Sequence, residues 1–383
     1  PLAVYRRAAK ADSVQQRRPN VVLIMMESMS AKFMKHFGQS ETLTPFLDSL
    51  YTRSISFRNF YSAGIHTNHG LYATLYSFPA MMKRNLMKGS VIPRYSGLPT
   101  VLKENGYYNL FFMTHEGQYD NMNAFFRTNG YDEVFSQEDY PADKVVNSFG
   151  VQDDFLYDYA IPVLNQRAAT GQPFFATLLS ISNHPPYVIP PFFHPKTSEP
   201  EMQIVEYADW ALRQFFEEAR KQPWFDNTIF VLEGDHGKLV GDAECELPES
   251  YNHIPLMIYS NRIQPEEKTA FGGQVDIQPT ILGLLNIDYL QNNFGVDLLK
   301  EERPCMFYTA DNMVVGRNDT LLYLYNYETQ QELTYDIGNG KLNAVPMDDS
   351  FLPLKEYSFS MLQSAEFLVK HGKTLNSIPF TQQ

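Results

Sequence analysis

Cysteine is almost absent from this chain of 383 residues, which contains only Cys245 and Cys305. Two cysteines permit at most one disulfide bond and exclude a small disulfide-dense scaffold. The chain also lacks any uninterrupted run of about eighteen apolar residues, so no segment is predicted to span a bilayer, and no signal peptide opens it. Low-complexity tracts are missing too, and with 44% hydrophobic and 20% charged residues the composition indicates a globular protein with a large core.

Positive charge is scarce, since the formal net charge is −13 at pH 7. No basic stripe with interleaved aromatic residues recurs, so we expect no nucleic-acid partner. Basic residues do gather near the start, before the first predicted strand, at Arg6, Arg7, Lys10, Arg17 and Arg18. Because the sequence also begins at Pro1 without an initiator Met, we expect residues 1–18 to be a leader or juxtamembrane segment whose membrane anchor is missing.

Apolar strand patterns alternate with helical ones over most of the chain. Strands are predicted at residues 20–26, 57–61, 108–113, 173–179, 228–234 and 255–259. Helices are predicted at residues 42–53, 97–105, 153–166, 203–221 and 277–285. This alternation predicts an α/β fold with a mainly parallel central sheet flanked by helices.

The pattern changes after about residue 300. Short strand-like runs separated by Asn, Asp and Gly turns precede a final helix near 354–370. We therefore expect a large domain over 19–300 and a small α+β subdomain over 301–383, with an antiparallel sheet and a terminal helix.

Two of the predicted buried strands run directly into potential metal ligands. Glu27 follows the first strand, and Asp235 and His236 follow the strand at 228–234. Ligands of open α/β sheets lie beyond the carboxyl ends of the strands, so these side chains are expected to converge. Carboxylate oxygen and imidazole nitrogen both suit Mn²⁺ or Zn²⁺. The structural alternative is a capped strand end and an unrelated turn.

A nucleophile is expected in the turn at 62–70, where Thr67 precedes a helix-like run at 71–75. Backbone N–H groups at a helix start favour an alkoxide and a phosphoryl oxygen, and a nearby cation lowers the pKa of a hydroxyl. The alternative is a Thr that only caps the helix. His66 and His69 flank Thr67 and equally suit a role in folding.

Six motifs in a fixed order resemble a known family. They are residues 19–28 (PNVVLIMMES), 62–70 (SAGIHTNHG), 182–187 (SNHPPY), 234–237 (GDHG), 253–256 (HIPL) and 275–282 (VDIQPTIL). Together, over about residues 19–300, they resemble the extracellular catalytic domain of lipoteichoic-acid synthase-type phosphoglycerol transferases, in the sulfatase branch of the alkaline phosphatase superfamily.

The resemblance implies an alkaline phosphatase/sulfatase-like fold and a set of site residues. It implies Glu27, Thr67, Asp235 and His236 as metal ligands, with Thr67 also the nucleophile. It implies substrate contacts from His115 and His184, and His184 is the better candidate for protonating the leaving group because imidazole titrates near neutral pH. We add Asn121 and His253 as candidate substrate contacts.

The resemblance also implies an activity, a cofactor and partners. The expected enzyme is a Mn²⁺-dependent transferase, with Zn²⁺ or Mg²⁺ as alternatives. It takes phosphoglycerol or a related headgroup from a phospholipid such as phosphatidylglycerol, through a phospho-threonine intermediate. The acceptor is a glycan or a glycerol phosphate, and the expected location is membrane-anchored with the catalytic domain outside the cytoplasm.

One departure from the family bears on the headgroup. The family's Trp-Asn-Arg segment holds glycerol phosphate, whereas residues 117–127 here lack that tryptophan and an arginine at the matching place. The alternatives are a phosphodiesterase or phosphatase, a phosphoethanolamine transferase or a sulfuric-ester hydrolase of the same superfamily, and a non-catalytic binding domain. The formylglycine signature of sulfatases surrounds neither cysteine, and phosphoethanolamine transferases usually carry several disulfides.

Overall fold

A computed structural model describes residues 18–89, 91–338 and 340–376, together with the backbone of residues 4–6. The predicted leader segment 1–18 therefore lies outside the described residues, apart from Val4–Arg6 and Arg18. Within the described ranges no helix combines the length and the apolar character needed to cross a bilayer.

Strands and helices are numbered in chain order. In the first half of the described chain the strands are β1 (Val4–Arg6), β2 (Asn20–Met26), β3 (Ile55–Tyr61), β4 (Tyr108–Phe112), β5 (Glu133–Phe135) and β6 (Phe174–Leu179). The later strands are β7 (Thr228–Gly234), β8 (Leu256–Tyr259), β9 (Glu266–Gly273), β10 (Tyr289–Gln291), β11 (Met306–Thr309), β12 (Met313–Arg317), β13 (Leu321–Asn326), β14 (Gln331–Gly338) and β15 (Lys341–Ala344).

The α-helices complete the description of the regular elements. They are α1 (Pro45–Tyr51), α2 (Thr67–Tyr76), α3 (Leu98–Glu104), α4 (Met122–Thr128), α5 (Asp153–Ala169), α6 (Pro200–Ala219), α7 (Ile277–Leu284) and α8 (Leu352–Lys370). Short 3₁₀ turns lie between several of them.

The largest sheet has eight strands in the order β5-β4-β6-β2-β7-β8-β3-β9. All neighbouring pairs are parallel except those made by β8, which runs antiparallel to both β7 and β3. The predicted mainly parallel sheet is therefore confirmed.

Both faces of this sheet are covered, which is why its central strands are apolar without alternation. Along β2, Val21 and Leu23 pack into one hydrophobic core, and Val22 and Ile24 pack into a second core on the opposite face. Side chains of α2, α3, α4 and α7 contribute to the first core, and side chains of α1, α5 and α6 contribute to the second. The molecule is thus a three-layer α/β/α sandwich.

A second sheet follows in the chain and is wholly antiparallel. Its strands lie in sequence order from β11 to β15, and α8 packs against them and contributes to the first core. This is the antiparallel sheet with a terminal helix that the sequence predicts, and it begins at Met306. The boundary near residue 300 stays a prediction.

The parallel strands determine where the functional side chains meet. β4, β6, β2 and β7 run in one direction, so their carboxyl ends lie along one edge of the sheet. Glu27, His115 and Asp235 all follow these strand ends.

Candidate active site

Glu27 and Asp235 emerge side by side because the strands before them are paired in register. Met26 at the end of β2 is opposite Gly234 at the end of β7. Ser28 joins the two carboxylates: its backbone N–H donates to Asp235 Oδ1 at 2.8 Å, and its hydroxyl donates to Glu27 Oε1 at 2.6 Å. Ser28 has a φ of 51°, a left-handed conformation that is costly for a non-glycine residue and is typical of functional sites.

His236 completes a group of three possible ligands. Its Nδ1–H donates to the carbonyl oxygen of Gly237 at 2.7 Å, so Nε2 carries the free lone pair. Nε2 lies 3.7 Å from Glu27 Oε1 and 3.6 Å from Asp235 Oδ2. One ligand atom from each of the three residues lies within 4.8 Å of the other two.

The chemistry of this group fits a divalent cation. Glu27 and Asp235 are 1% and 0% exposed, and Asp235 Oδ2 has no hydrogen-bond partner. Burial, followed by the charge of Asp235, raises the pKa of Glu27 well above its usual range. Two buried carboxylates and an orphaned oxygen are costly unless a cation compensates them. Carboxylate oxygens with one imidazole suit Mn²⁺, Zn²⁺ and related ions.

Thr67 is the first residue of α2 and lies beside this group. The N-cap of α2 is His66, so the alternative that Thr67 only caps the helix does not hold. The side chain of His66 makes no capping hydrogen bond. The Thr67 hydroxyl instead donates to Glu27 Oε2 at 3.4 Å. A hydroxyl at a helix N-terminus, next to a cation site, is well placed to act as a nucleophile towards an anionic group.

A glycine lets α2 approach the ligands this closely. A Cβ atom at Gly70 would lie 2.3 Å from the backbone oxygen of Asp235 and 2.9 Å from Gln274 Nε2. The side-chain amide of Gln274 donates to that same oxygen at 2.7 Å. The helix carrying Thr67 is therefore packed directly on the strand end carrying Asp235.

His184 and His115 lie on the loops that follow β6 and β4. The His184 Nδ1–H donates to the Pro185 carbonyl oxygen at 2.6 Å, and its ring packs on Phe149 with centroids 4.0 Å apart. The His115 Nδ1–H donates to the Glu116 carbonyl oxygen at 3.1 Å. Burial is the main cause that lowers the pKa of both imidazoles, with a smaller effect of His236 on His184 and of His184 on His115.

The other predicted contacts are placed differently. His253 Nε2 lies 2.8 Å from the Arg58 carbonyl oxygen, and its ring stacks on Tyr61 and meets Phe37 edge-on. His253 is thus engaged with the surrounding scaffold and is not among the three clustered ligands. Asn121 Nδ2 donates to the Met87 carbonyl oxygen at 3.3 Å. A substrate role for either residue stays a prediction.

The two histidines that flank Thr67 differ from each other. His66 Nε2 lies 2.6 Å from Asp311 Oδ1 in the turn between β11 and β12. His69 is fully buried, and burial lowers its pKa to about 3, so its imidazole is neutral. We assign His69 a structural role in the core, because its ring packs against the ring of Tyr72.

Comparison with known proteins identifies the family of this chain. The family model described as Sulfatase matches residues 19–287, which include Glu27, Thr67, Asp235 and His236. The chain belongs to the sulfatase family.

Within that family, two curated relatives and one solved structure are informative. The chain is 24% identical over 315 residues to lipoteichoic acid synthase 2 of Bacillus subtilis, covering 74% of this chain and 47% of that protein. It is 25% identical over 322 residues to phosphoglycerol transferase I of Xanthomonas campestris, covering 79% of this chain and 46% of that protein. The chain therefore spans about half the length of these relatives.

The solved structure is a protein of the alkaline phosphatase superfamily from Vibrio parahaemolyticus. It superposes with a TM-score of 0.86 at 27% identity, covering 97% of this chain and 91% of that one. The predicted alkaline phosphatase/sulfatase-like fold is confirmed.

Lys238 is a residue of this sulfatase-family site that the sequence analysis missed. Its ammonium donates to Asn183 Oδ1 at 2.6 Å and to the Tyr187 hydroxyl at 3.0 Å. Asn183 in turn donates to the backbone oxygens of Glu27 and Ser28, both at 3.2 Å. Burial lowers the pKa of Lys238 to about 8. Its position two residues after His236 was the available signal.

Proposed function

We propose that this chain is the catalytic part of a metal-dependent phosphoglycerol transferase that uses a phospholipid donor such as phosphatidylglycerol. The observation that carries the proposal is the Thr67 hydroxyl at the start of α2, 3.4 Å from Glu27 and beside Asp235 and His236. The two curated relatives, a lipoteichoic acid synthase and a phosphoglycerol transferase, support this choice of headgroup.

Glu27, Asp235, His236 and the Thr67 hydroxyl would hold the metal, with Mn²⁺ as our first choice and Zn²⁺ or Mg²⁺ as alternatives. A bound divalent ion would supply Lewis acidity and lower the pKa of a hydroxyl beside it. The buried carboxylates, with the unpartnered Asp235 Oδ2, are the observation that supports a cation here.

The first half of the reaction is a displacement by Thr67. The Thr67 hydroxyl loses its proton to solvent, and its oxygen attacks the donor phosphorus. The bond between phosphorus and the diacylglycerol oxygen breaks, and that oxygen takes a proton from the imidazolium form of His184, which becomes the neutral imidazole. A phosphoglyceryl-threonine remains.

The second half returns Thr67 to its starting state. A hydroxyl of a glycan or glycerol-phosphate acceptor gives its proton to His184 and attacks the same phosphorus. The bond to the Thr67 oxygen breaks, and Thr67 recovers a proton from solvent. His115 and Asn121 are our candidates for contacts with the headgroup.

The proposed activity also implies a location for the protein. A phospholipid donor requires the active site to face a membrane surface, so we propose a membrane-anchored protein with this domain outside the cytoplasm. We keep residues 19–300 as the catalytic domain and residues 301–383 as the subdomain that packs against it.

The test is an assay for diacylglycerol with protein, Mn²⁺ and lipid vesicles. Vesicles of phosphatidylglycerol and of phosphatidylethanolamine are compared, each with and without a glycan acceptor, and Thr67→Ala is the control. We expect release from phosphatidylglycerol that depends on acceptor and is absent in Thr67→Ala. Release only from phosphatidylethanolamine, or release of free glycerol phosphate regardless of acceptor, would replace this proposal with one of the two alternative enzymes.

A further inference from the structure

Lys238 is a partly buried cation that forms no ion pair with any carboxylate in the described parts of the chain. Its two hydrogen-bond partners, Asn183 Oδ1 and the Tyr187 hydroxyl, are both neutral. The carboxylates of Glu201 and Glu27 favour the charged form of Lys238, but neither lies within ion-pair distance of its Nζ. Removing an ammonium from water without a carboxylate partner costs free energy, and charged groups in such environments cluster at functional sites.

The ammonium is fixed within the active site. The side chain of Asn183 links the Lys238 ammonium to the backbone of Glu27 and Ser28. Glu27 is one of the three clustered metal-ligand candidates. The faces of Tyr187 and Phe33 lie 4.7 and 5.4 Å from Nζ, which favours a cation at this position. Two of the three N–H bonds of the ammonium have partners among the described residues, and an ammonium can donate a third hydrogen bond to a ligand.

The charges of the site point to the kind of ligand. The two carboxylates of Glu27 and Asp235 balance one divalent cation, which leaves the charge of Lys238 uncompensated. A ligand with one negative charge, as in a phosphodiester, neutralises that excess. An ammonium is a point donor suited to a phosphoryl oxygen.

We propose that Lys238 is the anion-binding residue of this site and holds a non-bridging oxygen of the donor phosphoryl group. The identity of that group as a phosphodiester rests on the proposed function. The contact would position the phosphorus for attack by Thr67 and would select donors with an anionic group over neutral esters.

The test measures binding of inorganic phosphate to the Mn²⁺-loaded protein by calorimetry. Lys238→Met removes the charge and keeps the chain length, and Lys238→Arg keeps the charge. Lys221→Met, at an exposed lysine just after α6, is the matched control. We expect Lys238→Met to weaken phosphate binding about 10- to 100-fold, the range of one charged hydrogen bond. Lys238→Arg should recover most of it, and Lys221→Met should bind like wild type.

A structural role for Lys238 makes a different prediction. If Lys238 only supports the loop, Lys238→Met lowers the melting temperature while its folded form binds phosphate as wild type does, and that result would overturn the proposal. Should Lys238→Met fail to fold, Lys238→Gln is measured instead, with the same criterion.

The same variants separate this proposal from the proposed function. Phosphate binding that depends on Lys238, in a protein that transfers no phosphoglycerol, would keep the anion site and remove the phosphoglycerol donor. Transfer of phosphoglycerol with unchanged kcat/KM in Lys238→Met would keep the transferase and remove the anion site.

Discussion

The Nδ1 atom of His236 lies 2.7 Å from the carbonyl oxygen of Gly237, and this contact determines what the imidazole can bind. With Nδ1 as the donor, the Nε2 lone pair faces Glu27 and Asp235. The backbone thus orients the imidazole towards the two carboxylates. A carbonyl partner of this kind commonly orients a histidine that ligates a metal.

Divalent metal should therefore stabilise the folded protein. Adding Mn²⁺ at 100 times its dissociation constant should raise the free energy of unfolding by about 2.7 kcal/mol. Asp235→Asn should abolish this gain, because an amide still accepts from Ser28 and His236 at Oδ1 but presents an NH₂ group in place of Oδ2. Thermal unfolding with Mn²⁺ and with EDTA measures both. Glu217→Gln on the exposed face of α6 is the control and should respond like wild type.

Gly70 should be irreplaceable for activity. An added methyl would lie 2.3 Å from the Asp235 oxygen, so Gly70→Ala must push α2 and Thr67 away from the ligands. We expect a loss of about 1–3 kcal/mol of stability and at least a tenfold lower kcat. Gly38→Ala is the control. Gly38 has a φ of 96° and no atom lies within 4 Å of an added Cβ, so this substitution costs only backbone strain. Equal turnover in the two variants would contradict the packing argument.

Asp209 should make stability depend on pH. It lies on α6, accepts from the backbone N–H groups of Phe46 and Leu47 at 2.9 Å, and has a pKa that burial raises to about 7. The folded state thus holds this proton more tightly than the unfolded chain, whose Asp pKa is about 3.9. This difference in pKa contributes up to about 4 kcal/mol to the free energy of unfolding. The contribution is fully present below pH about 4 and is lost as the pH rises through about 7.

Urea unfolding in EDTA at pH 5, 6, 7 and 8 checks this sign. The difference in free energy of unfolding between wild type and Asp209→Asn should fall as the pH rises. A difference that stays constant over this range would show that Asp209 does not titrate there.

The pair between His66 and Asp311 should affect activity more than stability. It joins the N-cap of α2 to the C-terminal sheet, and both side chains are 48% exposed. Such a pair contributes only about 0.2–1 kcal/mol, but it holds the residue next to Thr67. We expect Asp311→Asn to lower kcat roughly 2- to 5-fold with little change in melting temperature. Asp319→Asn, in the next turn of the same sheet, should leave kcat unchanged.

The sequence could predict the sheet and the ligands for one physical reason. Strands buried on both faces are continuous apolar runs, so β2 and β7 are visible in the sequence and Glu27 and Asp235 mark their ends. Parallel register then brings the two carboxylates together, as the structure shows.

Other features carried no comparable signal. β9 is an edge strand whose first residues are exposed and charged, so it has no apolar run. β5 is only three residues long. Lys238 belongs to the site through contacts with Asn183 and Tyr187, which lie on a loop more than fifty residues earlier. The ring of His253 stacks on Tyr61 and lies 2.8 Å from the Arg58 carbonyl oxygen, and these contacts are visible only in the tertiary structure.

The most direct test of the central claim is the intact mass of the protein after incubation with Mn²⁺ and phosphatidylglycerol, without acceptor. We expect wild type to gain the mass of one glycerol phosphate, and peptide mapping to place it on Thr67. Thr67→Ala should remain unmodified while keeping the wild-type circular dichroism spectrum. An equal adduct on Thr67→Ala, or turnover of the donor that survives in that variant, would contradict the assignment of Thr67 as the nucleophile.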